Sequence, residues 1–104
     1  MAREHDAALN VETHLERGAA VLAVSGEADL GTKAPLADAL ARVPATAARV
    51  VVDCAELRFF DCSVLGVLAE WEAAHPGVPV RFRNVGAFHT KVLRLVGWDD
   101  RVDD

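Results

Sequence analysis

Two short apolar runs govern what this chain can become. Residues 19–25 (AAVLAVS) are almost continuously hydrophobic and stand between Gly18 and Gly26, and residues 49–52 (RVVV) form a second, Val-rich run. Both are short enough for strands. The second has no polar side to give to water, so it reads as an interior strand covered on both faces, as in an α/β sheet. Just upstream, Leu9, Val11, Thr13 and Leu15 alternate with Asn10, Glu12 and His14, the period of a strand with one wet face. Arg17-Gly18 supplies the turn, so residues 9–25 read as a hairpin. Residues 1–8 carry mixed charge without a pattern and read as a flexible N-terminal segment, leaving 9–104 as one domain.

Helical patterns alternate with the strands. After a polar loop at Gly26-Glu27-Ala28-Asp29, Thr32 offers an N-cap and Pro35 fits the first turn of a helix running to about Val43, where Pro44 stops it. Leu36, Ala37, Leu40 and Ala41 give that helix one apolar stripe. Beyond the strand at 49–52, Asp53 ends the strand, and a connection through Leu57, Phe59 and Phe60 leads to Asp61. There a carboxylate can accept from the first free N–H groups of a helix that ends near His75-Pro76-Gly77. A strand at 78–82 and a helix at 88–96 with Gly97 as its C′ residue follow, then a short closing element at 98–102. Strand, strand, helix, strand, helix, strand, helix predicts an α/β fold: a single-layer mixed β-sheet of about four to five strands with helices packed against it.

Composition narrows the functional classes. The 104 residues carry a net charge of −5 and are 52% hydrophobic, which is one domain with a core that needs no staples. No apolar run approaches the roughly 20 residues of a membrane span, so neither membrane insertion nor an export leader is expected and the expected location is cytoplasmic. Without a Lys/Arg cluster, direct nucleic-acid binding is not expected. Cys54 and Cys62 form no CxxC and have no histidine at ligand spacing, so two reduced thiols and no metal are expected. Phosphate-binding, nucleophile-elbow and HExxH motifs are missing, and no cofactor is implied. His5, His14, His75 and His89 are scattered and read as surface histidines, Leu57, Phe59 and Phe60 as core candidates, and Trp98 as packed. No catalytic residue is expected. The segment that stands out is Asp61-Cys62-Ser63, where polar and reactive groups sit at a helix start; such loops on a rigid scaffold dock partners, and an added phosphate would alter the local charge without unfolding the domain.

Three segments carry a resemblance. Val24-Ser25-Gly26-Glu27-Ala28-Asp29-Leu30 is similar to a G-E-[apolar]-D-[apolar] segment. Val50-Val51-Val52-Asp53 and then Phe59-Phe60-Asp61-Cys62-Ser63-Val64-Leu65-Gly66-Val67-Leu68 resemble a strand and a D-S-[ST]-G-L-[GR]-x-L signature, and Val92-Leu93-Arg94-Leu95-Val96-Gly97-Trp98 resembles a closing L-x-G-[LW] helix. In this order they resemble the STAS family of anti-sigma factor antagonists, over about residues 9–102. The resemblance implies a non-enzymatic module that binds an anti-sigma factor, often a GHKL-type serine kinase holding an adenine nucleotide, and so frees a sigma factor. It also implies a docking surface at Asp29, Asp61, Cys62 and Ser63 on a monomer or weak dimer. In the family the kinase phosphorylates the serine after the motif aspartate, and that position is Cys62 here; Val64 replaces the motif glycine. Three consequences stay open: an antagonist with no phosphate switch, phosphorylation moved to Ser63, or a thiol switch at Cys62. The alternative is a non-phosphorylatable STAS scaffold or regulatory subunit of a transport or stress-signalling assembly.

Overall fold

The computed structural model describes the backbone of residues 2–5 and residues 8–103 in full. Six strands form one mixed sheet in sequential order: β1 (Ala2–His5), β2 (Leu9–Glu16), β3 (Ala19–Ala28), β4 (Arg49–Phe60), β5 (Val80–Arg83) and β6 (Val102–Asp103). The first three pair antiparallel, and β3 through β6 pair in parallel. Helices α1 (Ala34–Ala41), α2 (Cys62–Ala74) and α3 (Ala87–Leu95) make the connections, and a single 3₁₀ turn (Asp99–Arg101) leads into β6. The mixed α/β layer expected from the sequence is therefore present. Its edges differ from the expectation: Ala2–His5, read as part of a flexible N-terminal segment, pair with β2, and the closing element expected at 98–102 is the 3₁₀ turn followed by the two-residue β6.

Local chemistry explains most element ends. Arg17 and Gly18 both have positive φ (51° and 84°), the conformation that a tight two-residue hairpin turn requires. At the end of α3, the N–H of Gly97 donates to Arg94 and that of Trp98 to Leu93, with Gly97 at φ 76°. This is a Schellman closure, for which glycine is the least strained residue. Thr32 does not cap α1. The N-cap is Lys33, without a side-chain bond, while the Thr32 hydroxyl closes the preceding loop by donating to the Glu27 carbonyl (2.7 Å) and accepting from the Asp29 N–H (3.1 Å).

The larger departure is β4. Expected to end at Asp53 and continue as a connection, it runs on to Phe60. Its register with β3 slips twice, so that Ala23 faces Asp53 but Ser25 faces Glu56, and Gly26 faces Leu57 but Glu27 faces Phe59. Each slip places one extra residue in β4, and together they replace strand alternation by a spacing of three in the buried residues Cys54, Leu57 and Phe60. β3 also runs on through Gly26, Glu27 and Ala28, which the sequence reading assigned to a loop. Gly26 makes this possible: at φ 96° it lies so close to Ala8 that a Cβ would stand 2.1 Å from the Ala8 carbonyl oxygen, which accepts the next N–H, from Glu27 (2.9 Å).

One sheet face carries the main core. Leu9, Val11, Leu22, Val24, Val50, Val52 and Phe82 meet Leu36 and Leu40 of α1, Val64, Leu65 and Leu68 of α2, and Leu93 of α3. Trp71 ties α2 to α1 through its indole N–H and the Leu40 carbonyl (3.1 Å). Glu72 of α2 accepts from the Val80 N–H (2.8 Å) and from Arg101 (2.5 Å), joining α2 to β5 and the closing turn. Burial works to raise the Glu72 pKa, but these donors outweigh it and hold the carboxyl below its ordinary range.

Among the described residues the other face carries no helix, which corrects the expectation that β4 is covered on both sides. Ala19, Val21 and Val51 are nevertheless buried there. Arg83 of β5 reaches across two strands to Glu16 of β2 (3.0 Å) and also bonds Asp53 (3.2 Å), so its aliphatic stem and the ion pairs shield the valines. Asp53 sits within β4, where burial acting to raise its pKa is outweighed by Asn84, the Ala55 N–H and Arg83, which hold it low.

The close approach at Gly26 gives a direct test. Gly26→Ala is expected to destabilise the domain by at least about 2 kcal/mol, through positive φ and the clash with Ala8, read as a lower urea midpoint at unchanged slope.

Candidate functional site

The C-terminal ends of β3 and β4 carry the polar segment singled out in the sequence. At the end of β3, the Asp29 carboxylate accepts from the Gly31 N–H (2.9 Å) and the Thr32 N–H donates to the Asp29 carbonyl (3.1 Å), a tight turn that leaves Leu30 68% exposed at its tip. At the end of β4, Asp61 has extended backbone (φ −124°, ψ −179°) and caps α2, its carboxylate accepting from the Ser63 N–H (3.0 Å). The two ends are stitched together where the Asp61 N–H donates to the Ala28 carbonyl (3.2 Å). Asp29 and Asp61 thus belong to one surface because β3 and β4 are parallel neighbours.

The residues after the cap have unlike environments. Cys62 is exposed. Ser63 is half-buried, and its hydroxyl donates to the same Asp61 oxygen that accepts the Ser63 N–H (2.5 Å). Val64 points into the core, which gives the residue in place of the motif glycine a packing role. The second cysteine is of another kind: Cys54 lies under the sheet, where burial and then the Asp53 charge push its thiol up to about 12, so it stays protonated and inert. Both thiols are free, and among the described residues no group of His, Cys, Asp and Glu side chains is arranged to hold a metal.

Beside this surface lies an aromatic cluster that the sequence reading resolved only in part. Phe60 is buried, whereas Phe59 is 37% exposed and stacks on Phe88 (centroids 6.1 Å apart). His89 departs from the expectation of a surface histidine. It is 5% exposed, packs on Phe60 (4.9 Å) and against the edge of Phe88 (5.6 Å), and neither ring nitrogen has a hydrogen-bond partner. Burial lowers its pKa below the ordinary 6.5, the nearby Arg58 backbone opposing. Its position at i−4 from the core residue Leu93, on the inner side of α3, was the available signal. His75 does behave as a helix-end residue, stacked on Trp71 (4.1 Å). Trp98 is half-buried against Phe82 (6.0 Å), with Arg101 over its ring (4.2 Å).

Residues 11–103 match the family model described as "Mlab, STAS domain", and the chain belongs to the STAS domain family. Among solved structures, an anti-sigma factor antagonist from Mycobacterium paratuberculosis superposes with a TM-score of 0.77 at 23% identity, covering 88% of this chain and 80% of that one. The anti-sigma factor antagonist SpoIIAA in its unphosphorylated form gives 0.66 at 19% identity, covering 90% and 86%. A sulfate transporter family protein from Wolinella succinogenes gives 0.68 at 16% identity, covering 86% and 79%. At these identities the likeness is one of fold. No curated protein sequence matches, and among the described residues no helix is long and apolar enough to cross a membrane.

Two substitutions probe the site's physics. Asp61→Ala removes the cap of α2 and is expected to cost about 1 kcal/mol. Burial lowers the folded-state pKa of His89 below its ordinary 6.5, so the unfolded chain binds the proton more readily and the wild type loses stability as pH falls below that value. His89→Leu is expected to flatten this part of the profile, measured as urea midpoints from pH about 7 down to about 5.

Proposed function

We propose that the protein is an anti-sigma factor antagonist that acts by binding: it docks an anti-sigma factor, typically a GHKL-type serine kinase, through Asp29, Asp61, Cys62 and Ser63, and so releases a sigma factor. The observation that carries this reading is the stitching of the Asp29 turn to the Asp61 cap at the C-terminal end of β3 and β4, with Cys62 exposed between them and α2. Two carboxylates on rigid turns favour a partner that brings basic or donor groups, and the net charge of −5 adds to that steering.

Of the three consequences of Cys62, the geometry favours an antagonist that has lost the serine switch. The exposed acceptor position holds a thiol, which a serine kinase does not phosphorylate. The Ser63 hydroxyl is half-buried and tied to Asp61, so a phosphate there would sit against a carboxylate. Binding would then be set by abundance and competition, without a phosphate to end it. A second reading, a regulatory subunit of a transport assembly, draws support from the likeness to the sulfate transporter family protein and needs no acceptor at position 62.

The test is reconstitution with a GHKL-type anti-sigma kinase and ATP. Wild type is expected to bind without gaining phosphate, Asp61→Lys to lose binding by at least tenfold, and Cys62→Ser to become a phosphate acceptor and release the kinase. Phosphate on wild-type Ser63 would move the switch by one residue. Absence of binding, together with co-purification with a transport ATPase, would replace this reading by the second.

A further inference from the structure

Beyond Asp53, β4 has a neighbouring strand on one side only. β3 pairs with it through Phe60, whereas β5 pairs with it only at Val50, Val51, Val52 and Asp53, so among the described residues no strand lies along the other edge of residues 54–60. The start of α3 lies there instead: Phe88 stacks on Phe59, and His89 packs on Phe60 next to the Arg58 backbone. Leu93 anchors the far part of α3 in the core, but the N-cap Gly86 makes no side-chain bond, so the ring cluster is what fastens the first turn to the sheet. His89 is buried in that cluster with neither ring nitrogen partnered. An imidazolium there would be unpaired, desolvated and at the positive end of a helix dipole. The charged groups around it supply no counter-ion. On β4, Arg58 pairs with Glu27 of β3 (2.7 Å), and the Asp61 carboxylate takes the Ser63 N–H and hydroxyl. Asp29 is tied to the Gly31 N–H, and α2 brings Cys62 and no charged residue before Glu70. The first turn of α3 holds no acidic residue, and the helix adds only the cations Lys91 and Arg94, the latter beside Asp99 (4.0 Å) at its far end.

We propose that the Phe59–Phe88 and Phe60–His89 contacts form a pH-sensitive latch, which protonation of His89 opens by driving the start of α3 off the end of β4. An imidazolium regains its hydration only by leaving the cluster, so the opened form binds the proton more tightly and gains population as pH falls. The opening is local, because neither the β2–β3 pairing nor the Leu93 end of α3 involves His89. Phe60 directly precedes Asp61, whose N–H holds the Ala28 carbonyl, so releasing Phe60 loosens the stitch between the Asp29 turn and the Asp61 cap. The latch thus lies under the proposed docking surface, while its existence depends on no partner.

Amide hydrogen exchange followed by NMR tests the latch on the protein alone. With intrinsic rates corrected for pH, the Asp61 and Thr90 amides, which donate to the Ala28 and Gly86 carbonyls, should be at least about tenfold less protected than the β2–β3 ladder. Their protection should fall at least about threefold from pH about 7.5 to about 5.5, with the His89 ring titrating below its ordinary 6.5. His89→Leu and His89→Phe, which keep an apolar group between Phe60 and Phe88, should each remove that fall. The triple variant His5→Gln/His14→Gln/His75→Gln, which spares His89, should keep it. Equal protection at the latch and the ladder, a wild-type protection that does not change with pH, or a fall that persists in both His89 variants overturns the proposal.

Discussion

The parallel pairing of β3 with β4, lengthened in β4 by two extra residues, is the constraint on which the rest of the structure depends. Each extra residue turns the strand, and the combined effect is to point Cys54, Leu57 and Phe60 inward at a spacing that neither a regular strand nor a helix would produce. That rotation buries Phe60 and lets Asp61 emerge at the end of the sheet with its N–H on the Ala28 carbonyl. The cap, the start of α2 and the exposed position at Cys62 follow from it. Gly26 serves the same end from the other strand, since no larger residue could approach Ala8 so closely.

The two faces of the sheet solve burial differently. One is closed by helices, with Trp71 and Glu72 acting as polar ties at the margins of an apolar core. The other has, among the described residues, three buried apolar residues, beside which Arg83 spans strands to Glu16 and Asp53. Such exposed ion pairs contribute little individually, but Arg83 also removes apolar area from water by lying across the sheet.

Much of the fold was legible because local chemistry and periodicity agreed. The alternation of β2, the Arg17-Gly18 turn, the Asp61 cap and the Gly97 closure each have a short-range cause and were found where the residues indicated. The second half of β4 was not legible as a strand, because bulges destroy the alternation by which strands are recognised, and a bulge is decided by what the neighbouring strand requires. Thr32 resembled an N-cap by type, yet its hydroxyl had a better partner in the Glu27 carbonyl. His89 was read as a surface residue by type, while its helix face placed it against Phe60.

The sequence by itself determined the α/β class, the position of the aspartate cap and the thiol that follows it, since these depend on residue identity and on contacts a few positions apart. Tertiary structure decided that Asp29 and Asp61 share a surface and that Ser63 is tied back while Cys62 is exposed. Those facts depend on which strands are neighbours and on how far each runs, and strand register is fixed by packing between segments distant in the chain.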